Sequence, residues 1–227
     1  MKAMILAAGR GERMRPLSDT LPKPLLEVAG KPLIVYHIER LVRAGVNELV
    51  INHAWLGEKI ERALGNGSAF HARIHYSEER HALETAGGIK QALPLLGADE
   101  FLLVNGDIWC DFDFTALLTQ PLNGDLGRLI LVDNPPHKIE GDFILTNDRV
   151  KRGVSGNPNS LTYAGIARFS PALFSELSER KAPLLPLLNA AIDKNLLAGL
   201  YYSGDWLDVG TAARLQELRD RIESAHN

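Results

Sequence analysis

Short apolar runs alternate with amphipathic stretches along the first half of the chain, and this pattern predicts an α/β protein. Strands are predicted at residues 4–8 and in the stretches "NELVINHA", "ARIHYSE" and "EFLLVNGD". Helices are predicted between them, in "PLIVYHIERLVRAG", "LGEKIERALGNG" and "TAGGIKQALPLLG". Because proline suits the first turn of a helix but interrupts its interior, Pro32 should begin the first helix and Pro94 should end or bend the third.

The second half of the chain is less regular. Extended segments are predicted in "LGRLILVDNP", "LTYAGIARFSPALF" and "GLYYSGDWLDVG", and "GDFILTNDRV" is typical of a hairpin arm. The stretches "APLLPLLNAAIDKNL" and "TAARLQELRDRIESA" predict helices. The change in regularity near residue 125 indicates a single domain over residues 1–227 with two halves, about 1–124 and 125–227.

Composition excludes several classes of protein. The 25 basic and 28 acidic residues are mixed along the chain and leave a net charge of −3, which does not favour a nucleic-acid or anionic-membrane partner. Cys110 is the single cysteine, so a disulfide framework and a cysteine-metal cluster are excluded. No apolar run has transmembrane length, and the first residues do not form a signal peptide. We therefore expect a cytoplasmic protein, and nothing in the sequence implies a protein partner.

The stretch "LAAGRGERMRPLSDTLPKPL" combines glycines with cations. Gly9 and Gly11 would let the backbone approach a ligand, and Arg13 and Lys23 indicate that this ligand is an anion, with phosphate the first candidate. The spacing does not fit a Walker loop, and Met14 stands where a dinucleotide-binding fingerprint would need its third glycine. Two cations at one glycine loop suit a polyphosphate that is being cut, because the leaving group needs its charge neutralised.

Carboxylates follow two of the extended segments. Asn105 and Asp107 lie at the end of "LLVNGD", and ligands of open α/β sheets bind beyond the carboxyl ends of strands. Asp205 and Asp208 lie in "GDWLDVGT". Mg²⁺ takes one or two carboxylates together with substrate oxygens, so one aspartate from each stretch would be enough. A spacing of three puts Asp205 and Asp208 on opposite faces of a strand, so only one of them should be a ligand.

The stretch "SEERHALETAGGI" suggests a loop that receives a flat base. Gly87 and Gly88 would let the base approach the backbone, and Thr85 could present main-chain groups to its edge. The roles of Glu78 and Glu84 stay open, with solvated surface charge as the simplest interpretation.

Three motifs in order, "LAAGRGERMRP…PKPL", "VNGD" and "WLDVGT", together resemble the sugar-phosphate nucleotidyltransferases over nearly the entire chain. The stretches "INHAWLGEKIERALGNGS", "LETAGGIKQALPLLG" and "LLVNGDIWCDFDF" are similar to the uridylyltransferases of peptidoglycan recycling that act on N-acetylmuramic acid 1-phosphate. The resemblance implies a Rossmann-like mixed, mostly parallel sheet with helices on both faces and a small sugar-binding subdomain. The first half, about 1–124, would bind the nucleotide and the second the sugar phosphate.

The resemblance also implies a reaction. UTP and a sugar 1-phosphate would give a UDP-sugar and pyrophosphate in the presence of Mg²⁺, with no protein nucleophile. Positioning and charge stabilisation would carry this transfer.

By the same resemblance, Arg13 would bind the departing pyrophosphate, Lys23 would bind the phosphates at the reaction centre, and Asp107 and Asp208 would hold the metal. The residues implied to bind the nucleotide are, besides Arg13 and Lys23, Ala7, Ala8, Gly9, Gly11, Glu12, Gly87 and Asn105. Those implied to contact the sugar are Gly141, Thr162 and Gly165.

Four alternatives stay open at this point. Mannose- or glucose-1-phosphate nucleotidyltransferases that use GTP, UTP or dTTP share much of the pattern. The cytidylyltransferases of isoprenoid synthesis have a similar loop, but their lysine is usually followed by Gln rather than by Pro24. A glycosyltransferase could use Asp111 and Asp113 as an Asp-x-Asp motif, although "DFTALL" favours capping of a helix instead. The fourth is a non-catalytic protein that binds a sugar nucleotide.

Overall fold

The computed structural model describes residues 1–178 and 180–225, which form an α/β fold. Its strands are β1 (Lys2–Leu6), β2 (Glu27–Val28), β3 (Lys31–Pro32), β4 (Glu48–His53), β5 (Arg73–Glu78), β6 (Phe101–Asn105), β7 (Ile108–Cys110), β8 (Gly127–Val132), β9 (Phe143–Thr146), β10 (Arg149–Arg152), β11 (Ser160–Phe169), β12 (Leu197–Tyr201) and β13 (Trp206–Asp208). Its helices are α1 (Leu17–Thr20), α2 (Leu33–Arg43), α3 (Gly57–Leu64), α4 (Glu84–Leu96), α5 (Thr115–Leu118), α6 (Leu185–Asp193) and α7 (Ala212–Ala225). Within these described residues, no helix has the length and apolar character that crossing a bilayer requires.

Within the described residues, nine strands form one mixed sheet in the order β5-β4-β1-β6-β11-β8-β12-β10-β9. Strands β5, β4, β1 and β6 are parallel to one another, as is β12 to β8. Strand β11 is antiparallel to β6 and β8, and β9 and β10 form an antiparallel hairpin. The predicted mixed sheet is therefore confirmed, but the prediction that it is mostly parallel is wrong, because the described strands of this sheet make four parallel and five antiparallel pairings. The antiparallel pairs all involve strands of the second half.

The hairpin explains why the second half is less regular. The stretch "GDFILTNDRV" begins with β9 and runs into β10, so it contains the turn of the hairpin as well as an arm. Asn147 and Asp148 both have positive φ, at 47° and 60°, as the two central residues of a type I′ turn require. A two-residue connection of this kind can only join antiparallel strands.

Each face of the sheet carries its own hydrophobic core. Side chains alternate along a strand, so Ala3 and Ile5 of β1 pack with α2 and α3, whereas Met4 packs with α4 and α6 on the other face. All three are fully buried. The prediction of helices on both faces is confirmed.

Helix α4 continues past its proline. The prediction that Pro94 ends or bends this helix is wrong as regards its end, because α4 runs to Leu96. Gly97 stops it there, with a φ of +95° and an N–H that donates to the Leu93 carbonyl at 2.9 Å. Pro94 lies in the last turn, two residues before the end of α4, and it removes one intrahelical hydrogen bond because it has no N–H.

A third cluster joins the two ends of the chain. Leu215 and Leu218 of α7 are fully buried against Met14, Leu26 and Val209. The C-terminal helix therefore packs on the segments that carry the glycine loop and the "WLDVGT" motif.

Candidate functional site

Three adjacent parallel strands end at one edge of the sheet. Leu6 at the end of β1 is in register with Asn52 of β4 on one side and with Asn105 of β6 on the other. The chain passes from β1 to β4 on one side and only later returns to β6 on the other, which makes this edge a switch point where α/β proteins bind ligands.

The glycine loop leaves β1 at this edge. Gly11 has a φ of +64°, and its carbonyl accepts hydrogen bonds from the Met14 N–H at 2.8 Å and the Ser18 hydroxyl at 2.7 Å. A Cβ at Gly11 would lie 3.3 Å from the Cβ of Lys23, so both the conformation and the close packing favour glycine. The turn buries Met14 and leaves Arg13 facing the cleft, where it has no ion-pair partner among the described residues.

Two adjoining cavities open over this edge. The first has a volume of about 710 Å³ and is lined mainly by the glycine loop and the start of α4. The second has a volume of about 560 Å³ and is lined mainly by the second half of the chain. Both are lined by Arg13, Glu84, Thr85, Asn105 and Asp107, so they form one continuous cleft.

Most of the predicted site residues face these cavities. The first cavity brings together Ala7, Ala8, Gly9, Gly11, Glu12, Arg13, Lys23, Asn105 and Asp107. The second is lined by Arg13, Asn105, Asp107, Thr162, Gly165 and Asp208.

Lys23 and Asp107 form an ion pair where the cavities meet. The Lys23 Nζ lies 2.8 Å from the Asp107 Oδ2, and Lys23 is only 7% exposed because the turn Lys23–Leu25 is buried. Gly106 brings Asp107 over the end of β1, since its N–H donates to the Leu6 carbonyl at 2.8 Å. A Cβ at Gly106 would lie 2.7 Å from that carbonyl oxygen, which explains the glycine of "VNGD".

A small two-stranded sheet places the second aspartate beside the first. Strand β7 pairs with β13 so that Ile108 is in register with Asp208, and the Val209 N–H donates to the Asp107 carbonyl at 2.9 Å. The Asp208 Oδ2 accepts from Arg214 Nη2 at 3.1 Å and lies 3.3 Å from His137 Nε2. Two carboxylates that are distant in sequence thereby line one cleft.

Asp205 has a different environment. Its Oδ1 lies 3.1 Å from Arg221 Nη1, and its N–H donates to Asp111. The question of which aspartate faces the cleft is therefore answered in favour of Asp208, as the alternation of side chains along a strand allows.

Buried polar residues that the sequence analysis missed connect the two loops. The Asn52 Oδ1 accepts from the Ala7 N–H at 2.9 Å, and the Asn52 amide donates to Glu79 Oε1 at 2.7 Å. The other oxygen of Glu79 accepts from the Leu83 N–H at 3.1 Å. The glycine loop is thus linked to the loop before α4 through Glu79, whereas Glu78 ends β5 with an exposed side chain and Glu84 lines both cavities.

Three predicted glycines pack against protein instead. Gly87 was expected to admit a base, but it lies within α4, and a Cβ there would be 2.3 Å from the Arg180 carbonyl oxygen. Its N–H and that of Ala86 donate to the Ala182 carbonyl, at 3.1 and 2.9 Å. Gly141 has a φ of +65°, and a Cβ there would be 2.6 Å from Asn134 Oδ1. Gly88, beside Gly87 in α4, was expected to admit a base too, but a Cβ there would be 2.4 Å from Glu79 Oε1. In all three cases the absent side chain makes room for protein atoms.

Both carboxylates of the Asp-x-Asp stretch, Asp111 and Asp113, bond to protein groups outside the cleft. The carboxylate of Asp113 accepts from the Thr115 N–H at 2.9 Å and its hydroxyl at 2.6 Å, at the start of α5, and these bonds lower the pKa of Asp113. Asp111 accepts from the Tyr202 hydroxyl and the Asp205 N–H. The capping interpretation is confirmed for Asp113, and neither aspartate lines the two cavities described above.

A buried histidine supports the backbone next to Asp107. His37 of α2 is fully buried, and its Nε2 lies 2.8 Å from the Ile108 carbonyl. Burial lowers the pKa of His37 to about 4, so the ring is neutral at pH 7. Because a carbonyl only accepts, the proton is on Nε2 and the ring holds the Ile108–Trp109 peptide, one residue beyond Asp107, in place.

Known proteins are similar to this chain in sequence and in fold. Residues 2–135 match the family described as nucleotidyl transferase. The chain is 52% identical to the N-acetylmuramate alpha-1-phosphate uridylyltransferase of Neisseria meningitidis serogroup B over 96% of both chains. It is 33% identical to the mannose-1-phosphate guanyltransferase of Hypocrea jecorina over 92% of this chain and 61% of that one.

The crystal structure of HddC from Yersinia pseudotuberculosis has the same fold, with a TM-score of 0.80 at 20% identity over 97% of this chain and 99% of that one. Strand order, glycine loop and paired aspartates are thus accompanied by a family match over more than half of the sequence. The chain belongs to the nucleotidyl transferase family.

Proposed function

We propose that this protein transfers the uridylyl group of UTP to N-acetylmuramic acid 1-phosphate, giving UDP-N-acetylmuramic acid and pyrophosphate. The observation that carries the proposal is the meeting of two cavities at Asp107, with the cations Arg13 and Lys23 beside it. One cavity is large enough for a nucleotide and the other for a sugar phosphate. The 52% identity to the N-acetylmuramate alpha-1-phosphate uridylyltransferase of Neisseria meningitidis supports uridine as the base and N-acetylmuramate as the sugar.

The nucleotide would occupy the first cavity and the sugar phosphate the second. This division assigns triphosphate binding mainly to residues 1–124 and sugar binding mainly to residues 125–227, with Asp208 reaching back to the first half. Thr162 and Gly165 would contact the sugar.

The carboxylates of Asp107 and Asp208 fit Mg²⁺. Both offer hard oxygen donors, since Asp107 directly precedes β7 and Asp208 of β13 is in register with the next residue, Ile108. Within the described residues, no group of three or more acidic, histidine or cysteine side chains could hold a metal, so oxygens of the substrate would complete the coordination. The ion would supply positive charge at the phosphates.

The uridylyl group passes directly from UTP to the sugar 1-phosphate, and the residues of the chain position and stabilise the reacting groups. A phosphate oxygen of the sugar 1-phosphate attacks the α-phosphorus of UTP, and the bond from that phosphorus to the bridging oxygen of the β-phosphate breaks as pyrophosphate leaves. Arg13 stabilises the departing pyrophosphate, because its guanidinium faces the cleft unpaired among the described residues. Lys23 stabilises the charge at the α-phosphate, and His37 keeps Asp107 in position.

The test is pyrophosphate release with Mg²⁺. UTP, GTP, CTP and dTTP are each combined with the 1-phosphates of N-acetylmuramic acid, N-acetylglucosamine, glucose and mannose. We expect the highest kcat/KM with UTP and N-acetylmuramic acid 1-phosphate. A maximum with GTP and mannose 1-phosphate would contradict the substrates, and the absence of release from folded protein in every combination would favour a non-catalytic sugar-nucleotide-binding protein.

A further inference from the structure

The second cavity contains a basic side chain that the proposed transfer does not use. Three basic residues line this cavity, Arg13, His137 and Lys138. Arg13 lies where the cavities join, and His137 lies 3.3 Å from Asp208, so both belong to the phosphate and metal end. Lys138 is the remaining one.

Lys138 is held by a carboxylate that has a partner of its own. Its Nζ lies 2.6 Å from Asp142 Oδ2, and the same oxygen accepts from the Tyr163 N–H of β11 at 2.9 Å. Within the described part of the chain, Asp142 is the only carboxylate that pairs with Lys138. An ammonium group has three N–H donors, so two remain for a ligand without loss of the existing bond.

The backbone that carries Lys138 is also fixed. The Lys138 N–H donates to the Pro135 carbonyl at 2.8 Å, and the Gly141 N–H donates to the Lys138 carbonyl at 3.2 Å. The Asn134 side chain donates to the carbonyls of Ile139 at 3.1 Å and Ser160 at 2.9 Å. The ammonium group of Lys138 therefore has a fixed position at the second cavity. Its side chain is 43% exposed, so a ligand can reach it.

We propose that Lys138 determines specificity by binding a carboxylate on the sugar, so that the enzyme selects an acidic sugar 1-phosphate over a neutral one. The inference rests on the proposed function. N-acetylmuramic acid differs from N-acetylglucosamine by an ether-linked lactic acid, whose carboxylate is ionised at neutral pH. An ammonium at the sugar end of the cleft can donate a charge-assisted hydrogen bond to this carboxylate. A neutral sugar would offer the ammonium a hydroxyl group instead of the carboxylate, and that hydrogen bond is weaker.

The test compares two substrates that differ only in this arm. Lys138→Met removes the charge and keeps the length of the side chain, and Lys138→Arg keeps the charge. With saturating UTP and Mg²⁺, we expect K138M to lower kcat/KM for N-acetylmuramic acid 1-phosphate roughly 10- to 100-fold and to leave the value for N-acetylglucosamine 1-phosphate within about twofold. K138R should retain the preference of the wild type.

Lys151→Met is the matched control, because Lys151 is an exposed lysine of β10 and does not line the second cavity. It should leave both values unchanged. An equal loss with both substrates, or no loss with either, would overturn the inference while the proposed function stands. A wild type that does not prefer the acidic substrate would overturn the proposed function, and the inference with it.

Discussion

At the scale of single residues, the proposed chemistry depends on charges that face the cleft. Arg13 and Asp107 line both cavities, so replacing either removes a group from the reaction centre and little from the core. We expect Arg13→Ala and Asp107→Asn each to lower kcat by roughly 10²–10³, the loss typical of one charge-stabilising group. Circular dichroism should stay that of the wild type.

Arg15→Ala is the control for the first variant. Arg15 pairs with Asp19 at 3.1 Å on the surface and does not line the cleft, so its loss should leave turnover unchanged. Turnover of R13A or D107N within tenfold of the wild type would contradict the assignment.

Gly210 tests the surroundings of Asp208. A Cβ there would lie 2.2 Å from Arg214 Nη2 and 2.9 Å from Asp208 Oδ1, so an added methyl group must displace one of them. Overpacking of this kind typically costs about 1–3 kcal/mol. We expect Gly210→Ala to raise the Mg²⁺ concentration needed for half-maximal activity, measured by titration of pyrophosphate release. An unchanged metal dependence would show that Asp208 tolerates the shift or does not hold the ion.

Sequence could predict some of these residues and not others. Asn105 is predictable as a site residue because it ends an apolar strand. The same rule, that polar residues at the end of an apolar strand lie at the site, also identifies Asn52 in "LVINHA". His137 lies in an irregular loop and meets Asp208 only through the fold, so no spacing reveals it. Gly87 shows a limit of glycine patterns, since a missing Cβ makes room equally for a ligand or for the Arg180 carbonyl.

At the scale of elements, α2 is fastened to β7 through His37. Its folded pKa of about 4 lies below the ordinary value of 6.5, because burial and Arg40 lower it more than the Ile108 carbonyl and Asp107 raise it. The unfolded state therefore binds more protons between pH 4 and 6.5, and the stability present above pH 6.5 is lost as pH falls through this window. We expect the free energy of unfolding to fall by about 2 kcal/mol more between pH 7 and pH 5 in the wild type than in His37→Gln.

Denaturant unfolding at the two pH values measures this difference. His81→Gln, at an exposed position, is the control and should keep the pH dependence of the wild type. If the free energy of unfolding falls equally between pH 7 and pH 5 in H37Q and in the wild type, His37 is not held neutral by burial.

Periodicity predicted the long elements well and the short ones poorly. Strands β1, β4, β5 and β6 and the helices between them show the alternation or 3.6-residue repeat that burial imposes. Strands β7 and β13 have three residues each and pair across nearly 100 positions. Such a pairing has no local signal, and yet it is what brings Asp107 and Asp208 together.

At the scale of the whole molecule, one sheet passes through both halves of the chain. Strand β11 joins β6 to β8, so the halves share a continuous hydrogen-bonded ladder. We expect thermal unfolding in a single transition, which UTP with Mg²⁺ at one hundred times its Kd should raise by roughly 5–10 °C, corresponding to about 2.7 kcal/mol. Calorimetry measures this shift, and R13A should reduce it. Two transitions, of which only one responds to UTP, would show that the halves unfold separately.

The carbonyl of Ala182 connects two segments that line the cavities, the start of α4 and residues 183–185. It accepts from Ala86 and Gly87 in the first turn of α4, and the residues that follow it, Pro183, Leu184 and Leu185, line the second cavity. A ligand that moves this turn therefore moves the boundary of its neighbour's site. Such coupling is reciprocal, so any factor by which UTP changes sugar-phosphate binding through this turn would equal the factor by which the sugar phosphate changes UTP binding. Because the connection runs through main-chain atoms, cooperation between the substrates would survive substitutions of the side chains that each of them touches.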